Sequence, residues 1–202
     1  MKLSKKFALV ILIIIIITIG LIILKNVIKK TKIGNNMNSQ EIVDYILNIK
    51  SYKSNINVQV NSNKNKNKYV LEQEYNTENG SVQIVVEPTN IAGTKIVLKD
   101  ENLKVENTKL NLSQIFENYK GLEDNSLDLI CFIHDYKASD KSDYDENEKE
   151  IIMKTKNSNK NKYNQNKVLY IDKENKLPTK LIIEDNNQNM TINIQYNSIE
   201  IN

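Results

Sequence analysis

An unbroken apolar run near the start of the chain, residues 7–24, constrains what this sequence can fold into more than any other feature. It reads FALVILIIIIITIGLIIL, interrupted only by one threonine and one glycine. As a helix with a rise of about 1.5 Å per residue, such a run would span roughly 27 Å, close to the hydrocarbon thickness of a bilayer. A surface helix of a soluble protein is apolar on one face only. The run therefore predicts a transmembrane helix.

The residues that follow this run distinguish a retained anchor from a cleaved signal peptide. A signal peptide has a shorter apolar region, of about 7 to 15 residues, and a small-residue cleavage site. Here the following segment, LKNVIKKTKIG, contains no alanine, and no lipobox cysteine is present. We therefore predict a short basic N-terminus at 1–6, an uncleaved signal anchor at 7–24 and a polar tether at 25–37. Cleavage near Gly34 to Asn36 is the alternative.

Lysines flank both ends of the apolar run, so the positive-inside rule does not decide its orientation. A very short N-terminal segment before a single helix favours a cytoplasmic N-terminus. We therefore predict a single-pass protein of the cell membrane whose domain faces the extracytoplasmic side.

The charge distribution argues against a nucleic-acid-binding domain. The chain has 28 basic and 25 acidic residues, but seven lysines and no acidic residue lie in residues 1–32. The rest of the chain therefore has 21 basic against 25 acidic residues, a net charge of −4, whereas nucleic-acid binders concentrate positive charge on the folded module. All basic residues are lysines, so no planar guanidinium fork is available for phosphate recognition.

Residues 38–202 have the sequence patterns of one domain that begins with a helix. Asn38–Glu41 has the form of a capping box, and apolar residues follow it at helical spacing as far as Ile49. From Tyr52 the period changes to two. About five strands in successive hairpins are predicted from there to Glu106.

Two further helices are predicted after these strands. A short helical stretch is expected from Leu112 to Tyr119, and a second helix from Ser126 to about Tyr136. An acidic loop, Asp140–Glu150, precedes four or five more strands. Sequential hairpins imply antiparallel pairing and an α+β fold. We predict a strongly curved antiparallel sheet, an open half-barrel, covered by a short helical lid.

Several stretches of this pattern resemble the LolA-like superfamily. Residues 86–94, VEPTNIAGT, are similar to its P-x-N-x-x-G step, which makes Pro88 and Gly93 family-pattern positions. Residues 169–202 have the family's order of strand, proline-containing turn, strand, polar turn and strand, with Pro178 in the first turn. Residues 125–136 are most similar to the Gram-positive branch, which includes the spore germination lipoprotein GerS.

The resemblance implies a non-enzymatic extracytoplasmic protein. Carriers of the superfamily hold lipoprotein acyl chains between sheet and lid, whereas relatives in the GerS branch dock on a cell-wall amidase that helps to make spore cortex peptidoglycan. This chain lacks the lipobox cysteine of GerS, and a protein tethered to one membrane cannot shuttle across a periplasm. We expect a membrane-anchored adaptor with a peptidoglycan amidase as partner. The alternative is a carrier that binds a lipid or lipoprotein acyl chain.

The residues themselves predict no catalytic, cofactor or metal site. His134 and Cys131 are the only residues of their types and lie three apart on a predicted helix, so they lack further ligands for zinc. Asp143, Asp145 and Asn147 match the first positions of a calcium loop. However, residue 148 is glutamate rather than glycine, and residue 154 is lysine rather than glutamate.

Five apolar residues of the two predicted lid helices remain as candidates for a binding site: Ile115, Phe116, Leu129, Phe132 and Ile133. They either pack as ordinary core or line a cavity for an acyl chain. Packed core is the default, because protein interiors leave few voids. The two alternatives predict different structures, since a carrier needs an apolar void of several hundred Å³.

Overall fold

The structure, a computed structural model, describes residues 37–119, 127–156, 166–185 and 190–202. Residues 39–202 form one compact unit. Its helices within the described ranges are α1 (Ser39–Leu47) and α2 (Leu129–Ala138). The strands are β1 (Ser51–Ser62), β2 (Lys66–Asn76), β3 (Gly80–Glu87), β4 (Lys95–Lys99), β5 (Asn102–Asn107), β6 (Leu112–Phe116), β7 (Asp143–Glu146), β8 (Glu150–Lys156), β9 (Asn166–Asp172), β10 (Pro178–Glu184) and β11 (Met190–Ile201).

These strands form one antiparallel sheet in the order β6-β5-β4-β3-β2-β1-β11-β10-β9-β8-β7. The two longest strands, β1 and β11, meet at its centre, where Tyr52 pairs with Ile201. The chain runs outwards from β1 to β6, continues through α2 to β7 at the opposite edge, and returns strand by strand to β11. The predicted open, antiparallel α+β architecture is confirmed, and its strong curvature stays a prediction.

One face of the sheet carries the helices and the hydrophobic core. Successive side chains of a strand point to opposite faces, and Ile56, Leu169 and Ile194 are fully buried on the helix-bearing face. α1 packs beside α2 and β8. The core therefore lies beneath the helices, between β8 and β1, whereas most residues of β4 to β6 are half-buried or exposed.

The two helices begin at Ser39 and Leu129, and a capping residue sets the start of the second. α1 begins at Ser39, inside the segment Asn38–Glu41 in which the sequence predicts a helix start, and the capping box itself stays a prediction. α2 begins at Leu129, because Asp128 has extended backbone and its side chain accepts a hydrogen bond from the backbone N–H of Ile130. The expected start at Ser126 lies outside the described residues and is corrected to Leu129.

The prediction of a helix at 112–119 is wrong, since Leu112–Phe116 is the edge strand β6. These five residues are too few to establish a helical period, and β5 provides backbone partners along the whole length of the strand. An isolated helix of two turns has a costly nucleus and no such partners. Asn111 and Asn118 adopt positive φ angles of 49° and 55°, and they end the strand on either side.

The predicted acidic loop, Asp140–Glu150, contains another edge strand, β7, which pairs with β8. Carboxylates are tolerated on an edge strand because one side of it is exposed to solvent. Asp145 forms an ion pair with Lys154 of β8. Residues 143–146 of the predicted loop are therefore part of the sheet, and its other residues before Glu150 form the connections on either side of β7.

The predicted basic N-terminus and transmembrane helix, residues 1–24, lie outside the described residues. Within the part of the chain that the structure describes, no helix is both long and apolar enough to cross a bilayer. The anchor therefore stays a prediction.

Candidate functional site

A buried carboxylate fixes the N-terminal end of α2 to the sheet. Asp128 is fully buried, and its two oxygens accept hydrogen bonds from the Tyr52 hydroxyl of β1 and the Ser81 hydroxyl of β3. The Tyr52 oxygen in turn accepts a 3.2 Å hydrogen bond from the backbone N–H of Leu129. One cluster thus caps the helix and ties it to two strands.

Burial determines the acid–base properties of this cluster. It raises the pKa of Asp128 above the usual aspartate value, although hydrogen bonds from Ser81 and Tyr52 act in the opposite direction. It also raises the pKa of Tyr52 well above 10, and the neighbouring Asp128 carboxylate adds to this increase. Tyr52 therefore stays neutral and able to donate its hydrogen bond at physiological pH.

A second buried carboxylate fixes the C-terminal half of α2. The Asp135 carboxylate lies 2.5 Å from Lys167 Nζ of β9, and both side chains are 1% exposed. The backbone carbonyl of Asp135 accepts a 3.2 Å hydrogen bond from the Thr155 hydroxyl of β8. The helix is therefore joined to β1 and β3 at one end and to β8 and β9 at the other.

Between these two anchors, the apolar side of α2 packs on the sheet. Leu129 and Phe132 are 0% exposed and Ile133 is 2% exposed, so the structure brings these three predicted residues together in the core. Ile115 and Phe116 are not buried with them, because they lie on β6 with 56% and 46% of their surface exposed. A role for any of the five in ligand binding stays a prediction.

A cleft of about 700 Å³ lies between α2 and the turns that connect β2 to β3 and β4 to β5. Its apolar lining is contributed by Leu98, Ile130, Cys131 and Ile133. The cleft is half open to solvent. Ile133 contributes both to the packed core and to the wall of the cleft, so the cleft borders the core along one side of α2.

The polar lining of the cleft carries charges of both signs. Lys99 and Lys137 contribute cations, and Glu78, Asp100 and Glu101 contribute carboxylates. The remaining described lining residues are Tyr75, Thr77, Gly80, Tyr119 and His134. An apolar surface bordered by donors and acceptors of both charges suits a ligand that is itself mixed in character, such as a protein segment.

Tight turns position two walls of this cleft. Gly80 has a φ of +78°, and a Cβ atom at this position would lie 2.1 Å from the carbonyl oxygen of Leu98. Only glycine permits this approach of the β2–β3 turn to β4. In the β4–β5 turn, Asp100 and Glu101 both adopt positive φ, of 49° and 60°.

Sequence analysis identified only part of the cleft. Cys131 and His134, considered above as isolated candidates, both line it together with Ile133. The hairpin turns were recognisable from the Asn79-Gly80 pair and from the polar residues between two strand patterns. Lys99 and Lys137 had no distinguishing signal, because only the fold brings their strand and helix together. Within the described ranges, no group of three histidine, cysteine or acidic side chains is arranged to hold a metal ion.

The three family-pattern positions lie in turns and strand ends, and none of them lines the cleft. Pro88 and Gly93 belong to the β3–β4 connection, where the N–H of Gly93 donates a 2.8 Å hydrogen bond to the carbonyl of Val85. Gly93 has a φ of +84°. Pro178 begins β10 and is paired with Ile171, next to a register shift. These three residues therefore belong to the connections between neighbouring strands and not to the cleft.

A comparison with models of protein families identifies the family of this chain. The family model for sporulation protein YdcC-like proteins matches residues 4–202. The chain belongs to this family. A search of curated proteins finds no match to this YdcC-like sequence.

A search of solved structures finds proteins that are similar in fold to this YdcC-like protein. An uncharacterized conserved protein from Thermus thermophilus has a TM-score of 0.50 at 10% identity, over 82% of this chain and 88% of that one. A LolA superfamily protein from Nitrosomonas europaea has a TM-score of 0.46 at 12% identity, over 83% and 94% of the two chains. A chain in the complex of the CwlD amidase with the GerS lipoprotein from Clostridioides difficile has a TM-score of 0.46 at 20% identity, over 83% and 94%. The searches thus return LolA superfamily and GerS proteins, which the sequence resembles, and at these identities the likeness concerns the fold alone.

Proposed function

We propose that this YdcC-like protein is a non-enzymatic adaptor of the cell envelope, which binds another envelope protein through the cleft beside α2. The observation that supports this most directly is the attachment of α2 at both ends. Asp128 is bound by β1 and β3, and Asp135 is bound by Lys167 of β9. A carrier that loads an acyl chain beneath its lid would have to separate these buried contacts and expose the core, which is costly for unpaired charges.

The character of the cleft supports a protein ligand. Lys99 and Lys137 face the same space as Asp100 and Glu101, so a partner segment with both acidic and basic side chains can be neutralised there. Polar groups in a partly exposed cleft favour specificity over raw affinity. An acyl chain would offer these charged groups neither an ion pair nor a hydrogen bond.

The proposed partner is a cell-wall amidase that acts on spore cortex peptidoglycan. Membership of the YdcC-like sporulation family supports a role in spore formation, and the similarity of residues 125–136 to the GerS branch suggests the class of partner. The proposed anchor at residues 7–24 would hold the adaptor at the membrane with its domain on the extracytoplasmic side. Binding would then localise the amidase or regulate it without chemistry by the adaptor itself.

The volume of the cleft favours one alternative. A space of about 700 Å³ falls within the range of small-ligand sites. Its apolar residues, Leu98, Ile130 and Ile133, could contact a lipid or lipoprotein acyl chain. In that case the ligand would lie along the side of α2 that borders the cleft.

Site-specific photo-crosslinking distinguishes the two functions. A photoreactive residue replaces Lys137 in the full-length protein in sporulating cells, and replaces Lys64 of the exposed β1–β2 turn as the matched control. The adaptor function predicts one discrete protein adduct from position 137 and none from position 64. The double substitution Lys99→Glu and Lys137→Glu, with the photoreactive group moved to Thr77, should reduce this adduct strongly.

Mass spectrometry of the adduct decides between the outcomes. An amidase supports the complete proposal, and a different envelope protein would retain the adaptor function while excluding the amidase. A lipid-mass adduct at position 137 without a protein adduct would favour the carrier. Equal protein adducts from positions 137 and 64 would show that the cleft has no special role.

A further inference from the structure

Carboxamide side chains cover the centre of the sheet on the face opposite to the helices. In β1 and β11, positions that face the core alternate with positions that point outwards. The outward positions carry Asn55, Asn57, Gln59 and Asn61 on β1, and Asn193, Gln195 and Asn197 on β11. We call this group the amide face. All of its residues are half-buried or exposed, so their carboxamides are accessible to a ligand.

Carboxamides are unfavourable residues for central strands. Asparagine is depleted in strands relative to β-branched residues, and the scale of strand propensity spans about 1 kcal/mol. On the strands next to the amide face, outward positions in the same row carry β-branched residues, Ile182 of β10 and Val168 of β9. The amides are therefore not a property of every outward position of this sheet. Their concentration on β1 and β11 indicates a role in binding rather than in folding.

Hydrogen bonds between these side chains orient part of the amide face. Asn57 Nδ2 donates a 3.1 Å hydrogen bond to Asn197 Oδ1, and Asn197 Nδ2 donates a 2.8 Å hydrogen bond to Asn55 Oδ1. Asn197 can reach both residues because the pairing of β1 with β11 shifts register beside it. A carboxamide has two donor hydrogens and an oxygen that accepts two bonds, so these contacts use only part of its capacity. Exposed Asn57 and Gln195 therefore keep donors and acceptors for a ligand.

The shape and charge of the surface limit the class of ligand. A shallow cavity of about 440 Å³ lies over the strands β1, β2 and β11. Its lining contains one cation, Lys68, and one carboxylate, Glu87, so it carries no net charge. Four residues of the amide face line it: Asn57, Gln59, Asn193 and Gln195. At about 3.3 Å per residue, the amides of β1 extend over roughly 20 Å along the strand. The surface therefore suits an elongated, uncharged ligand.

We propose that the amide face binds a neutral glycan chain of N-acetylated sugars. A carboxamide presents a donor and an acceptor in one plane. The acetamido group of such a sugar does the same, and its hydroxyl groups both donate and accept. Uncharged side chains give no electrostatic advantage to an anionic or a cationic ligand. A protein ligand fits less well, because protein interfaces are enriched in aromatic residues, Met and Arg, and the amide face contains none of them.

This inference goes beyond the proposed adaptor function and uses a different surface. No residue of the amide face is among the described residues that line the cleft beside α2. A glycan bound on the outer side of the sheet leaves the cleft open, so one molecule can hold a protein partner and a glycan chain together. Loss of either function by substitution should leave the other unchanged.

Binding to an immobilised β-1,4-linked hexamer of N-acetylglucosamine tests the proposal. The full-length protein is used in a detergent without a sugar headgroup, which would compete for the same site. The double variant Asn57→Val, Gln195→Val removes donors and acceptors but keeps residues that favour strands, so it should fold. We expect its affinity for the hexamer to fall at least about tenfold. The matched control is Asn67→Val, an exposed amide on the opposite face of β2, and its affinity should equal that of the wild type.

Two further measurements separate this site from less specific binding. A glucose hexamer of the same linkage lacks the acetamido groups and should bind more weakly. Raising the ionic strength should leave the affinity for the N-acetylglucosamine hexamer unchanged, because no ion pair is screened. Failure of the wild type to bind, equal affinities of wild type and double variant, equal binding of the glucose hexamer, or a steep loss of affinity with salt would each overturn the proposal.

Discussion

Lys167 Nζ of β9 lies 2.5 Å from the Asp135 carboxylate of α2, and each side chain is only 1% exposed. This pair joins a helix to a strand 32 residues further along the chain. A buried ion pair is balanced only while both partners remain. Loss of either partner should therefore weaken the packing of α2 on the sheet.

We expect Lys167→Met to lower the free energy of unfolding by about 3–5 kcal/mol, because Asp135 would keep a buried charge without its ion-pair partner. Chemical denaturation of the full-length protein measures the change. Lys154→Met is the matched control, since Lys154 pairs with Asp145 on an exposed edge, and it should have little effect. The double variant Asp135→Leu, Lys167→Met should recover most of the loss, and failure to recover would contradict the explanation by an unpaired charge.

Asp128 predicts a specific pH dependence. Burial raises its pKa above the ordinary value near 3.8, so between these two values the folded state binds more protons than the unfolded chain. The contribution of Asp128 to stability is therefore largest below the ordinary value and falls as the pH rises through the raised pKa. Asp128→Asn keeps the shape of the cap and removes this titration.

Denaturation of wild type and Asp128→Asn at a series of pH values tests this expectation. The unfolding free energy of the wild type minus that of the variant should decrease as the pH rises above the ordinary aspartate value. A difference that increases with pH, or that stays constant, would show that the carboxylate is not held in the way the structure indicates.

Removing the hydroxyl should change the unfolding free energy differently at two buried tyrosines, Tyr52 and Tyr196. Tyr52→Phe removes the donor to Asp128 and the acceptor of the Leu129 N–H, so we expect a loss of about 1–3 kcal/mol in unfolding free energy. The Tyr196 hydroxyl is buried and has no hydrogen-bond partner among the described residues. Tyr196→Phe should therefore be neutral or stabilising, and thermal unfolding of both variants against wild type tests the contrast. Similar losses in the two variants would contradict it.

Gly80 and Gly93 both have a positive φ. Alanine substitutions at these two positions separate the free-energy cost of a steric contact from the cost of backbone strain. At Gly80 a Cβ atom would lie 2.1 Å from the Leu98 carbonyl oxygen, whereas at Gly93 no atom lies within 4 Å. Gly80→Ala should lower the unfolding free energy by about 2–4 kcal/mol, from both overpacking and an unfavourable φ. Gly93→Ala should lower the unfolding free energy only by the cost of the unfavourable φ, about 1–2 kcal/mol. Denaturant titration measures both changes. Equal losses would mean that the β2–β3 turn can move away from β4.

Part of the architecture follows from local sequence. The start of α1, the Asn79-Gly80 turn and the alternation of apolar residues along β1 and β11 depend on neighbours within a few residues. Their signals are therefore readable without a structure. The antiparallel sheet follows in turn, because short connections between successive strands permit little else. The resemblance to the LolA-like superfamily also rests on this order of strands and turns.

The tertiary structure decided what local patterns left ambiguous. Residues 112–116 fit a helix or a strand, and pairing with β5 selected the strand. Asp128, Asp135 and Lys167 are unremarkable in the sequence, since their partners lie tens of residues away and exist only once α2 packs on the sheet. The cleft arises in the same way. Burial and pairing between distant segments are properties of the folded chain, and no short stretch of sequence contains the groups that determine them.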